Sequence, residues 1–188
     1  MMRIITGTAR GTKLISLEGL ATRPTSERAK EAMFSTLAFE IANKRVLDLL
    51  SGSGQLALEA LSRGASRATL VDHSAAAVDV IRKNIDKTHM QDKTTVVRGD
   101  CVDYLKRVSA EEKFDLVFID PPYAARLVPE MLNIIVERNL VSPQAIIVCE
   151  SEEEDIFEKD EHLRARFNIR KIHRYAKAVV TILDCKQD

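Results

Sequence analysis

Val46-Leu-Asp-Leu-Leu-Ser-Gly-Ser-Gly-Gln-Leu-Ala-Leu-Glu-Ala-Leu61 is a strand, a glycine turn and a helix in immediate succession. Gly52 and Gly54 permit positive φ and close backbone approach, and the N-terminus of the helix that follows offers N–H groups to a polar ligand. Gly52-x-Gly54-x-x-Ala57 also satisfies the dinucleotide-binding spacing, a weak signal by itself. A structural turn would need neither an acid four residues before Gly52 nor a second acid about twenty residues after it, yet Asp48 and Asp72 stand there.

Working outward, the same arrangement repeats. Arg67 to Val71 reads as a strand ending at Asp72 and His73, and Lys93 to Val97 as another, ending in Arg98-Gly-Asp100-Cys101. Asp72 is placed to accept from ribose hydroxyls or to cap the helix that begins near Ser74. Asp100 is placed to accept from an adenine amine or to cap the helix carrying Val102, Leu105 and Val108. Phe114-Asp-Leu-Val-Phe-Ile-Asp-Pro-Pro-Tyr123 is an unbroken apolar strand that runs into a rigid polar tetrapeptide, and Ala145 to Val148 is a fifth strand closing at Cys149-Glu150. This alternation predicts an α/β, doubly wound, Rossmann-like sheet with Asp48, Gly52, Asp72, Asp100 and Asp120 on one rim.

The ends depart from that pattern. Arg3 to Leu17, broken by Gly7 and Gly11, predicts an N-terminal β-hairpin extension. Pro24 bars a helix before it, Thr25 or Ser26 can cap one after it, and Ala29, Met33, Leu37 and Ile41 predict an amphipathic helix over 26–42. An acidic helix is expected after the fifth strand, then a hairpin of 167–175 and 179–183. The division expected is a basic extension over 1–24 and a catalytic domain over 25–188.

The chain has 188 residues, 45% of them hydrophobic, which suffices for a full core without staples. Cys101, Cys149 and Cys185 are scattered, with no C-x-x-C, so neither a disulfide framework nor a metal site is expected. There is no apolar leader and no membrane-length apolar run, and the expected location is the cytoplasm. The 28 basic and 28 acidic residues balance but segregate. Arg3, Arg10, Lys13, Arg23 and Arg28 enrich one end and Arg164 to Lys177 the other, while Glu152 to Glu161 is acidic. Such blocks are either solvated faces or phosphate contacts.

Two nucleotide readings compete, a nicotinamide oxidoreductase and an S-adenosylmethionine methyltransferase. Asp48 would repel a pyrophosphate but attract the cationic end of S-adenosylmethionine. Asp120-Pro121-Pro122-Tyr123 decides further: two prolines withhold N–H donors, the Asp120 and Pro121 carbonyls and the Asp120 carboxylate are left as acceptors for an exocyclic amine, and Tyr123 offers a ring to stack on a base. Hydride transfer needs none of this.

Met2-Arg-Ile-Ile5 with Gly7 and Arg10-Gly11, Thr22-Arg-Pro-Thr25 with Arg28, the glycine turn, Glu59-Ala-Leu-Ser-Arg-Gly-Ala65 and Asp120-Pro-Pro-Tyr123 stand in the order found in the RsmD-type methyltransferases, and the sequence resembles that family over nearly its whole length. Leu50-Ser51 departs from the Phe-Ala usual there, and Tyr175-Ala-Lys-Ala178 from Tyr-Gly-x-Thr. The resemblance implies a class I S-adenosylmethionine-dependent enzyme methylating the N2 amine of a guanine in 16S rRNA, without metal; since phosphate contacts position without specifying sequence, a 30S or pre-30S particle is the expected substrate, and a monomer is expected. The resemblance also implies catalysis at Asp120, Pro121, Pro122 and Tyr123, and cofactor binding by Asp48, Ser51, Gly52, Gly54, Asp72, His73, Asp100, Cys101 and Asp120. RNA contacts would come from Arg3, Arg10, Lys13, Arg23, Thr25 and Arg28. The alternatives are methylation of DNA adenine or protein glutamine, which similar Pro-Pro-Tyr motifs serve, and a non-catalytic RNA-binding assembly factor.

Overall fold

The computed structural model describes residues 2–17, 27–121, 127–175 and 178–186. Within these, β1 (Arg45–Leu49), β2 (Arg67–Asp72), β3 (Thr94–Arg98), β4 (Phe114–Ile119), β5 (Val141–Ser151), β6 (Phe167–Tyr175) and β7 (Ala178–Cys185) form one sheet in the order β3-β2-β1-β4-β5-β7-β6. β1 to β5 are parallel, and β7 is antiparallel to both β5 and β6. The helices are α1 (Glu27–Thr36), α2 (Gln55–Ser62), α3 (Ala75–Thr88), α4 (Cys101–Arg107), α5 (Val128–Glu137) and the short α6 (Glu161–Ala165).

The unbroken apolar runs are explained by a sheet covered on both faces, because successive side chains go to opposite sides. Leu47, Leu49, Val117, Ile119, Ile147 and Cys149 pack with α4 and α5, while Val46, Leu116, Phe118, Ile146 and Val148 pack with α1, α2 and α3. The chain winds outward from β1 through β2 to β3, then returns to β4 on the other side of β1. This reversal opens a crevice at the carboxyl ends of β1 and β4, where open α/β sheets bind ligands.

Three expectations are corrected. The expected N-terminal hairpin is absent: residues 2–17 hold only one antiparallel bridge, Arg3 to Lys13, flanked by Ile4 N–H donating to the Thr12 carbonyl at 3.0 Å and Leu14 N–H to the Met2 carbonyl at 3.0 Å. A ladder cannot extend because the neighbouring donors are directed at the body of the domain. Ile5 and Thr6 donate to the Glu59 carboxylate at 2.7 and 3.0 Å, Ala9 to Ser62 Oγ at 3.0 Å, and Ile15 to Asn84 Oδ1 at 2.7 Å. The first helix ends at Thr36, not near residue 42; Leu37 and Ile41 stay buried in a turn that closes at Asn43, whose φ is 63°. The acidic run is turns up to Asp160, which caps the five-residue α6 by accepting from Leu163 N–H at 2.9 Å. The capping expected of Thr25 or Ser26 lies outside the described residues.

Candidate active site at the carboxyl rim

The turn after β1 is wound tightly. Leu50, Gly52 and Gly54 have φ of 59°, 55° and 76°, and Leu50, which has a Cβ, holds a conformation that costs on the order of 1 kcal/mol and is typical of functional sites. Ser51 N–H donates to the Val71 carbonyl at 3.0 Å, Ser51 Oγ to the Asp48 carbonyl at 2.6 Å, and Gly54 N–H to the Ser51 carbonyl at 2.7 Å. At Gly54 a Cβ would come within 3.0 Å of Leu70, so the close packing of α2 on the sheet fixes glycine there. At Gly52 nothing would lie nearer than 3.9 Å, and the missing side chain keeps the crevice open.

The rim acids are placed as expected but are partly engaged with the backbone. Asp48 is 1% exposed and accepts from Ala57 N–H at 3.1 Å, reaching from β1 into the first turn of α2. Burial, with the nearby Asp72 charge, pushes its pKa up to about 7 although the Ala57 hydrogen bond opposes this. Asp72 does not cap α3, a task done by Ser74; it accepts from Gly52 N–H and Ser74 N–H, both at 2.9 Å, and so braces the glycine turn against the end of β2. His73 is exposed, its Nδ1 3.8 Å from Asp72 Oδ1. Asp100 caps α4, accepting from Asp103 N–H at 3.0 Å. Cys101 opens that helix, and burial together with the Asp100 charge pushes its thiol up to about 11.

β4 delivers Asp120, half-buried, and Pro121, buried, directly beyond Ile119, which pairs with Leu49 on β1 and Cys149 on β5. The structure thus brings Asp48, Ser51, Gly52, Gly54, Asp72, Asp100 and Asp120 to one rim. Pro122 and Tyr123 lie outside the described residues. Among the described residues, no group of three or more His, Cys, Asp or Glu side chains is arranged to hold a metal.

Of the basic residues, Arg3, Arg10 and Lys13 are exposed on the N-terminal arm. Arg23 and Thr25 lie outside the described residues, as does the side chain of Arg28. Two side chains of the basic C-terminal segment are paired with acids: Arg170 with Asp184 at 2.6 Å and Glu40 at 2.5 Å, and Arg174 with Glu154. What sequence reading missed is how the arm is held. Glu59, wholly buried, accepts from Ile5, Thr6 and Arg63 Nε (2.8 Å) and lies 3.6 Å from Lys30 Nζ, which donates to the Arg3 carbonyl at 2.7 Å. Asn84, also wholly buried, donates to both the Ile15 and Ser53 carbonyls at 2.9 Å, tying the arm to the glycine turn. The available signal was Glu59, the one charged residue on a helix that is otherwise apolar from Leu56 to Leu61.

This architecture has close relatives. The ribosomal RNA small subunit methyltransferase D of Haemophilus influenzae is 34% identical over 154 residues, covering 81% of this chain and 80% of that protein. The protein of the same name from Escherichia coli K12 is 35% identical, covering 82% and 76%. A solved structure of a putative methyltransferase, yhhF, from Escherichia coli superimposes with a TM-score of 0.86 at 30% identity, covering 99% of this chain and 98% of that one. The family described as Conserved hypothetical protein 95 matches residues 2–183, and with the glycine turn, the rim acids and the Asp-Pro junction in place this chain belongs to it, the RsmD-like family of S-adenosylmethionine-dependent methyltransferases.

Proposed function

We propose that this chain methylates the exocyclic N2 amine of a guanine in 16S rRNA, within a 30S or pre-30S particle, as a cytoplasmic monomer. The observation that carries this reading is the junction at the end of β4, where a strand buried from Leu116 to Ile119 leads to Asp120 and Pro121 at the crevice bordered by the glycine turn. Bound S-adenosylmethionine supplies an electrophilic methyl carbon on a sulfonium. The buried Asp48 carboxylate fits a cationic ligand, which would offset the desolvation that raises its pKa. Ser51, Gly52, Gly54, Asp72, His73, Asp100 and Cys101 complete that side of the crevice.

The role of Asp120 follows from the nucleophile. A guanine amine is weak because its lone pair is delocalised into the ring. Accepting its N–H bonds at Asp120 and the Pro121 carbonyl aligns the lone pair and favours the positive charge that develops on nitrogen. As the N–C bond forms, the C–S bond breaks, and the nitrogen then loses a proton to Asp120 or water. Asp120 need not be a strong base, since the proton becomes acidic only as the bond forms. Pro122 stiffens the junction, and Tyr123 stacks on a base taken out of its helix. Arg3, Arg10, Lys13, Arg23, Thr25 and Arg28 contact phosphates, with residues 1–24 as the RNA-holding unit and 25–188 as the catalytic one. Relatives named as small-subunit rRNA methyltransferases support this substrate.

The test offers the purified protein labelled S-adenosylmethionine with 16S rRNA, 30S particles, duplex DNA or protein, and digests each product. Label in N2-methylguanosine is expected, with turnover lost in Asp120→Ala while cofactor binding persists. Label in DNA N6-methyladenine or in protein refutes the substrate, and near-native transfer by Asp120→Ala reduces the junction to a structural turn.

A further inference from the structure

The arm that carries Arg3, Arg10 and Lys13 also lies against the glycine turn. Arg3 and Lys13 face each other across the arm's antiparallel bridge. Two residues past Lys13, both backbone groups of Ile15 are taken by the side chain of Asn84 on α3: Oδ1 accepts from Ile15 N–H at 2.7 Å, and Nδ2 donates to the Ile15 carbonyl at 2.9 Å. The other N–H of Nδ2 goes to the carbonyl of Ser53, the residue between the two glycines, also at 2.9 Å. Two more contacts join the same segments. Ser53 Oγ donates to Met2 Sδ at 3.3 Å, and Leu17 Cδ1 lies 3.9 Å from where a Gly52 side chain would begin.

Asn84 is wholly buried, and a buried amide is costly unless its donors and acceptor are all met, as they are here. The packing of α3 does not call for an amide, since Val78, Ile81 and Ile85 on its buried face are apolar. Holding one N–H and two carbonyls does, because neither a carboxylate nor an apolar side chain of that size can accept and donate at once. The arm has few other anchors: Ile4 and Leu14 are buried, and most residues between them are exposed. A segment so lightly packed opens locally, and a ligand that fixes its fastening point eases the ordering of the whole segment.

We infer, on the basis of the reading above in which the glycine turn holds the cofactor and the arm holds rRNA, that Asn84 is a positioning residue that couples the two sites. Cofactor in the crevice steadies Ser53, Asn84 passes that restraint to Ile15, and the arm's cations are held ready for phosphates. By linkage, bound RNA tightens cofactor binding by the same factor.

The first test is hydrogen exchange of the full chain without RNA, with and without S-adenosylhomocysteine. Exchange at the Ile15 amide should slow by about 5-fold or more, and by more than at the amides of β7. Unchanged exchange at Ile15, or equal slowing at both places, overturns the inference without need of any variant. The second test is binding to 30S particles. Wild-type protein should bind about 5-fold or more tightly when saturated with S-adenosylhomocysteine. Asn84→Leu, which keeps the bulk but not the amide, should bring that ratio toward one. A residue with a merely structural role would weaken both ligands and leave the ratio alone. A wild-type ratio of one overturns the inference, and so does a folded Asn84→Leu with the wild-type ratio, since the coupling would then run through contact between base and cofactor. If Ile15 exchange slows but particles are not bound, the rRNA reading falls and the coupling of arm to cofactor stands; if N2-methylguanosine forms while Ile15 exchange is unchanged, the rRNA reading stands and the coupling falls.

Discussion

Asp48→Asn should make the protein more stable and a worse enzyme at neutral pH. Burial raises the Asp48 pKa from 3.8 to about 7, so between those values the folded chain holds a proton that the unfolded chain has released. The stability this gives is fully present below about pH 4 and is lost as pH rises to about 7. At about 1.4 kcal/mol per pH unit, the loss is on the order of 4 kcal/mol. Asparagine has the same shape and can still accept from Ala57 N–H, but does not ionise. For a chain of 188 residues, with an unfolding entropy of about 2.1 cal/mol/K per residue, 4 kcal/mol corresponds to a Tm difference of about 10 °C. Thermal unfolding of both proteins from pH 4.5 to 8 is the assay, the expected outcome being curves that nearly meet at low pH and separate in favour of the variant by about pH 8. Calorimetry at the upper pH should show weaker S-adenosylmethionine binding by the variant. Parallel stability curves would refute the argument, since they would mean that Asp48 titrates alike in the folded and unfolded chains.

Gly7→Ala would place a Cβ 1.7 Å from the Ser62 carbonyl oxygen at a φ of 91°, so the arm must lift. Hydrogen exchange should show protection lost at the Ile5, Thr6 and Thr8 amides and retained in β1 and β4; retained protection at all of them would contradict the packing described. Replacing Arg10 and Lys13 together by alanine should lower the salt slope of RNA binding by about one per lost phosphate contact. Cofactor affinity should not change, and an unaltered slope would remove these two residues from the interface.

Much of the fold was legible because buried parallel strands cannot be mistaken once each ends in a turn and an acid. The runs around Leu47, Leu116 and Ile146 are apolar on both faces, and both faces are covered. Helix ends were less legible: Leu37 and Ile41 keep helical spacing and are buried, but through a turn, because apolar spacing reports burial and not backbone geometry. The N-terminal arm misled for a different reason. Its alternating pattern suits a strand, while its N–H groups are claimed by Glu59, Ser62 and Asn84, more than fifty residues away. At the site, residue types and rim positions could be read from sequence, but not which carboxylates serve the backbone. Asp72 holding Gly52 and Ser74 depends on the pairing of β1 with β2, which no local spacing reveals.

The manner in which the arm is fastened also sets a chronology. Ile5, Thr6, Ala9 and Ile15 are synthesised before the side chains that hold them, which come 53 to 69 positions later. Thr36 Oγ1 waits longer still for His173 Nε2, 137 positions downstream. A nascent chain that has not reached Asn84 has nothing to hold Ile15, so the basic arm is made early and fixed late. A prematurely terminated product would carry its positive charges on an unfastened segment, with neither the geometry to present them to RNA nor the rim beneath them.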